Sequence, residues 1–219
     1  MTAARERYLA TMGIPVWVLR GAESPEPDEA EITELDWPAL AGRVRACTDC
    51  ELHRGRIQTV FGVGNQEADL LVVGEAPGAE EDRRGEPFVG RAGLLLNAML
   101  GAIELSREEV YIANILKCRP PNNRDPRPDE ATACTRYLER QIQLLQPKVL
   151  LALGRIAAQW LLQSDAPIGR LRGQRLSFGN SEIPLVASYH PAYLLRSPAA
   201  KAKAWEDLRL VRRILRAAI

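Results

Sequence analysis

The four cysteines of this chain are unevenly spaced. Cys47 and Cys50 form a C-x2-C pair, Cys118 follows after 67 intervening residues, and Cys134 after 15 more. Four thiols with no fifth left over make one complete tetrathiolate set, the ligand chemistry of zinc or of an iron-sulfur cluster. Zinc ribbons usually present two close pairs, and here the second pair is split, so spacing alone leaves zinc, a cluster and unrelated buried thiols all open. Of the two histidines, His53 lies among Arg54 and Arg56 and reads as a solvated side chain. His190 instead precedes Pro191-Ala192-Tyr193-Leu194-Leu195-Arg196, a loop whose apolar residues suit either a buried turn or a segment that inserts into something.

Three further residues could do chemistry. Glu75 stands in Gly74-Glu75-Ala76-Pro77-Gly78, a tight turn in which backbone N–H groups and one carboxylate can face a ligand. Asn114 is polar where its apolar surroundings ask for an apolar residue, and an amide offers both a donor and an acceptor to a base edge. Phe88 can stack on a planar ligand or fill a core. The segment from Arg119 to Pro126, with Arg124 in it, is too polar and rigid for a core and reads as a phosphate contact or a solvated turn. The glycines match no dinucleotide fingerprint, no phosphate-loop lysine follows them, and no serine-centred nucleophile elbow is present.

Positioning these residues falls to alternating strands and helices. Short Val-, Ile- and Leu-rich runs at Asp69 to Gly74, Val110 to Ile115, Lys148 to Gly154 and Ile183 to Ser188 read as strands buried on both faces. Between and after them, Gly93 to Ile103, Asp129 to Leu145, Arg155 to Gln163 and Ala199 to Ala218 place apolar residues at spacings of three and four. The expected fold is a three-layer α/β/α domain around a mainly parallel four-stranded sheet. Sites on such folds gather at the carboxyl ends of strands, where Glu75, Asn114 and His190 all fall.

Composition narrows the setting. The net charge is +1, with 46% hydrophobic and 26% charged residues, as in ordinary globular chains. No apolar run approaches the roughly 20 residues of a membrane span, and no signal-peptide pattern opens the chain, so a cytoplasmic location is expected. Residues 21–42 carry seven acids and no base, whereas residues 43–219 carry a surplus of positive charge that is mostly arginine. The stretch from Gly21 to Pro38, with three prolines, reads as a linker. Upstream of it, Arg5 to Met12 reads as a short helix and Ile14 to Leu19 as a strand or tether. Residues 1–42 are therefore taken as an extension and 43–219 as the functional domain.

Taken together, these residues resemble the family 4 uracil-DNA glycosylases, the iron-sulfur-containing branch of the uracil glycosylase superfamily. The likeness runs from about Cys47 to the C-terminus. It rests on C-T-D-C, V-F-G-V-G-N, G-E-A-P-G-A-E-E-D, G-E-P-F-V-G-R-A-G, Y-I-A-N-I-L-K-C-R-P-P-N-N-R-D-P, L-A-L-G-R-I-A-A and Y-H-P-A-Y-L-L-R, all in this order. The resemblance implies a 4Fe-4S cluster on Cys47, Cys50, Cys118 and Cys134, with a structural role. It also implies hydrolysis of the N-glycosidic bond of deoxyuridine in single- or double-stranded DNA, with the base flipped out of the stack.

On this resemblance Gly74, Ala76 and Gly78 would line the uracil pocket and Phe88 would stack on the base. Asn114 would read its N3 and O4 edge, and His190 would donate toward O2. Leu194 or Leu195 would fill the gap left in the duplex, with Arg196 and Arg124 near phosphates. The better-known branch carries an aspartate and a tyrosine where this chain has Ala76 and Gly78, so Glu75 is the nearest carboxylate for activating water. A monomer in the cytoplasmic nucleoid is expected, with residues 1–42 either a solvated extension or a dock for a repair or replication protein. The competing readings are a non-catalytic iron-sulfur nucleic-acid-binding protein, a zinc-stabilised ligand-binding protein and a glycosylase-like covalent trap. The last lacks the inserted basic loop it would need.

Overall fold

The structure is a computed structural model, and it describes residues 29–179 and 181–217. The chain divides into two compact units between Glu31 and Ile32. The helix and tether read at Arg5 to Leu19 lie outside the described residues.

In the larger unit a mixed sheet forms from β1 (Val63–Gly64), β2 (Leu70–Gly74), β3 (Tyr111–Asn114), β4 (Val149–Leu153), β5 (Leu176–Ser177) and β6 (Pro184–Ser188), in the order β1-β3-β2-β4-β6-β5. The four inner strands are parallel, with Gly74 level with Asn114, Val72 with Leu151, and Leu153 with Ser188. The expected four-stranded sheet is thus its central part. Two-residue strands pair antiparallel at the edges, too short to show alternation in sequence.

Successive residues of a strand point to opposite faces, and two separate apolar clusters follow from that. Leu71, Val73, Ala113, Leu150 and Ala187 pack on one side against α2 (Trp37–Ala46), α5 (Pro128–Leu145) and α6 (Arg155–Leu162). Leu70, Val72, Ile112, Leu151 and Val186 pack on the other against α4 (Arg91–Gly101) and α9 (Lys201–Ala217). This is the three-layer arrangement. The remaining helices are short: α1 (Glu29–Glu34), α3 (Ala79–Arg84), α7 (Ile168–Leu171) and α8 (Pro191–Arg196).

The linker reading from Gly21 to Pro38 fails from Glu29 onward. Asp36 caps α2, its Oδ1 accepting the Ala39 N–H at 2.9 Å, and Pro38 sits in the first helical turn, where no N–H is needed. Leu40 and Val44 of α2 are fully buried, so a domain boundary between residues 42 and 43 would cut a core helix. Asp36 and Pro38 are helix-start residues here.

Neighbours on opposite sides of β2 are β3 and β4, so chain order reverses at β2 and opens a crevice beyond its carboxyl end. The far side of that crevice is pinned by α9. Its buried Asp207 accepts the Ser188 hydroxyl at 2.7 Å and two guanidinium bonds from Arg172 at 2.8 and 3.1 Å. That network fixes the end of β6 two residues before His190.

Candidate active site

Gly74 ends β2 beside Asn114. A Cβ at Gly74 would come within 2.3 Å of Asn114 Oδ1 and 2.8 Å of the Phe88 ring, so only glycine leaves these two side chains room to meet over the strand end. Asn114 is 2% exposed, yet its side-chain amide has no hydrogen-bond partner among the described residues. Its donor and acceptor are thus left for a ligand.

Phe88 has a left-handed backbone, φ 53°, which is uncommon and strained for an aromatic residue. Its loop is held from three sides. Arg107 donates to Pro87 O at 2.5 Å and Phe88 O at 3.3 Å, and Gly93 packs so close that a Cβ there would meet Phe88 O at 1.8 Å. Glu81 of α3 accepts the Val89 N–H at 3.2 Å and the Gly78 N–H at 3.1 Å, tying the Phe88 loop to the turn after β2. Gly78 therefore spends its N–H on Glu81, and Ala76 packs against the core, so both shape the turn.

The Phe88 ring stacks on the His190 ring, with centroids 5.5 Å apart and an interplanar angle of 29°. A base between the two rings would need about 7 Å, two carbon contact distances, so it can meet Phe88 only on the side turned away from His190. The apolar segment after His190, read as a loop, is α8, with His190 as its cap: Nδ1 accepts the Ala192 N–H at 3.1 Å. That bond leaves the proton of the neutral ring on Nε2. Burial, reinforced by the positive charge of Arg196, holds the imidazole pKa down at about 4 against the pull of Glu81. His190 is therefore a neutral Nε2–H donor at physiological pH. Gly154, φ 97°, lets the end of β4 approach it, since a Cβ would lie 3.2 Å from that of His190.

Glu75 is half-buried, and its carboxylate has no hydrogen-bond partner among the described residues. Burial, with the negative charge of Asp125, pushes its pKa up to about 7, opposed by Arg155. Arg155 and Asp125 pair at 2.9 Å nearby. Such a carboxyl is poised between acid and base near neutral pH.

Two expectations for DNA contacts need correction. Leu194 is 1% exposed and belongs to the core under α4, so it cannot enter a base stack, whereas Leu195 is 37% exposed. Both lie on α8, and a helix presents successive residues in different directions. Arg196 is exposed, as is Tyr193, whose ring packs on Tyr189 and which the sequence reading did not single out. Arg124 has its fork occupied by the buried Glu130, at 2.5 and 2.8 Å, and is a brace for the start of α5.

Cys47, Cys50, Cys118 and Cys134 line one pocket together with Leu52, Arg56, Leu116 and Tyr137. Among the described residues no three His, Cys, Asp or Glu side chains form a site for a metal ion. The sulfurs are served by donors: Arg56 Nη1 lies 3.0 Å from Cys118 Sγ and the Lys117 N–H 3.2 Å from Cys134 Sγ. Burial pushes the Cys134 thiol up to about 12 and raises Cys50 and Cys118. Four sulfurs in one largely apolar pocket, with N–H groups aimed at two of them, suit a buried metal centre better than solvent-exposed thiol chemistry.

Residues the sequence reading passed over complete the site. Glu81 and Arg107 hold the two loops, and the buried Lys117 and Gln141 bond to each other at 2.6 Å behind Asn114. Glu81 had a readable signal, an acid three residues into a helix begun by glycine; Lys117, masked by its neighbour Cys118, had none.

The family model described as Uracil DNA glycosylase superfamily matches residues 61–209. A type-4 uracil-DNA glycosylase of Archaeoglobus fulgidus is 43% identical over 178 residues, covering 78% of this chain and 89% of the relative. One from Thermotoga maritima is 45% identical over 161 residues, 72% of this chain and 82% of the relative. A third, from Saccharolobus solfataricus, is 42% identical over 183 residues, 80% and 85% respectively. The chain belongs to the uracil DNA glycosylase superfamily, in its type-4 branch.

Proposed function

We propose that the protein is a DNA-repair hydrolase that flips uracil out of DNA and cleaves its N-glycosidic bond, leaving an abasic site. The observation that carries this is the Asn114 amide, which makes no hydrogen bond among the described residues, together with the neutral histidine His190, in the crevice at the end of β2. An amide can accept from N3–H and donate to O4 of uracil, and cytosine reverses that pattern.

As the glycosidic bond breaks, negative charge collects on the leaving base. The His190 Nε2–H meets it at O2 without first needing a proton, and one such donor in a dry site is worth about a hundred- to thousandfold in rate. The Glu75 carboxylate holds and deprotonates the water that attacks the cationic sugar carbon. Phe88 buttresses His190 and offers the base the remainder of its ring. Leu195 fills the vacated place in the stack, and Arg196 at the end of the same helix meets a phosphate.

Cys47, Cys50, Cys118 and Cys134 would hold a 4Fe-4S cluster, which when bound supplies a rigid cross-link between the segment around Cys47, the loop after β3 and α5. Hydrolysis itself needs no electron. The protein acts as a monomer on nucleoid DNA in the cytoplasm, and any repair or replication partner of residues 1–42 would be met before Ile32, since Ile32 and α2 are committed to the core. No helix among the described residues is long and apolar enough to cross a membrane.

The test is incubation of cluster-loaded protein with an end-labelled oligonucleotide containing one uracil, followed by alkali. Scission at the uracil, and none with thymine or cytosine in its place, is the expected result. DNA binding without scission would make the chain a binding module.

A further inference from the structure

Lys117 is 1% exposed, and every polar group it owns is used. Its N–H points at Cys134 Sγ at 3.2 Å, and its carbonyl accepts the Val60 N–H at 2.7 Å. Its ammonium donates to Asn114 O at 2.9 Å and to Gln141 Oε1 at 2.6 Å. Gln141 is in turn fixed by its amide, which donates to Phe61 O at 3.0 Å and Tyr111 OH at 3.3 Å. Cys134 and Gln141 are seven residues apart on α5, two helical turns on one face. One helix thus grips Lys117 at its backbone and at its tip, and the tip grips the backbone of Asn114.

We propose that Lys117 is a positioning residue for base recognition, through which the four-cysteine pocket and α5 fix the backbone that carries the Asn114 amide. This rests on the reading of the crevice as a uracil site. A lysine is a costly thing to bury. A neutral side chain of similar length, such as methionine, would fill the same space without the ammonium. What the ammonium adds is a charge-assisted bond to the carbonyl of Asn114, the last residue of β3, just before the Ile115 and Leu116 N–H groups bond to Gly74 O and Glu75 O. Displacement of a recognition group by about 1 Å costs about a hundredfold in rate.

The experiment is a double-mutant cycle on cluster-loaded protein, measuring kcat and KM for a uracil oligonucleotide with Lys117→Met, Asn114→Ala and both together. The brown absorbance near 400 nm and the thermal midpoint are recorded for each. If Lys117 acts through Asn114, Lys117→Met keeps its absorbance but loses about a hundredfold in kcat/KM. The double variant is then no slower than Asn114→Ala alone. Multiplying losses in the double variant, or an unchanged kcat/KM in Lys117→Met, would overturn the proposal. Should Lys117→Met fail to fold, Gln141→Leu, which removes the acceptor that holds the ammonium against Asn114 O while leaving the thiols in place, is read in the same cycle with the same two outcomes. A wild-type protein that releases no uracil would instead defeat the underlying reading of the site.

Discussion

Replacing Glu75 by glutamine should slow the enzyme and make it more stable, with both effects depending on pH. Ionisation of Glu75 is displaced from its ordinary 4.5 to about 7, mainly by burial. At about 1.4 kcal/mol per pH unit, the ionised carboxylate costs the folded protein at most about 3 kcal/mol relative to the unfolded chain. Below pH 4.5 the carboxyl is protonated in both states and nothing is lost. Between 4.5 and about 7 the unfolded chain ionises first, and wild-type stability falls relative to the variant. Above about 7 the full difference persists. For a chain of this length that is about 6 to 12 °C in thermal midpoint. Glu75→Gln should therefore melt level with wild type at pH 4.5 and well above it at pH 8. At pH 8 its single-turnover rate of uracil release should lie about a hundredfold or more below wild type, the gap should close toward pH 4.5 as the wild-type carboxylate is protonated, and the rise of wild-type kcat/KM through pH 7 should vanish in the variant. Equal melting of the two proteins at pH 8, or a full rate in the variant, would refute the reasoning.

Other perturbations separate the roles of neighbouring residues. Leu194→Ala should destabilise the protein by about 2 to 5 kcal/mol in chemical unfolding, as a core truncation does. Leu195→Ala should leave stability unchanged and reduce activity on duplex more than on single-stranded DNA. Gly74→Ala, whose Cβ would fall 2.3 Å from Asn114 Oδ1, should abolish uracil release while the far-ultraviolet circular dichroism stays as in wild type. Nitrogen-15 shifts of His190 should report a neutral ring protonated at Nε2 down to about pH 4, and a transition near 6.5 would show that burial does not control it.

The parallel strands were readable because each is a short apolar run buried on both faces, and the long helices because their apolar spacing is regular. Three of the candidate site residues, Glu75, Asn114 and His190, were readable as chemistry at strand ends. What escaped were effects decided by packing. Asp36 and Pro38 start a helix, although the acids and prolines around them suggest a linker. Leu194 and Leu195 are chemically identical, and only the helix turn that buries one and exposes the other separates them. The fork of Arg124 could equally have met a phosphate, and the distant choice was made by a buried carboxylate six residues on. Lys117 is ordinary in sequence, and its burial behind Asn114 depends on a helix that arrives later in the chain.

The central claim is that Asn114 and His190 form a uracil-reading, charge-stabilising pair. Its most direct test is single-turnover release of free uracil, measured chromatographically, from one oligonucleotide by wild type, Asn114→Ala and His190→Ala, each with its cluster absorbance intact. The account predicts release by wild type and a loss of about a hundredfold or more in each variant. Wild-type rates in either variant would contradict it.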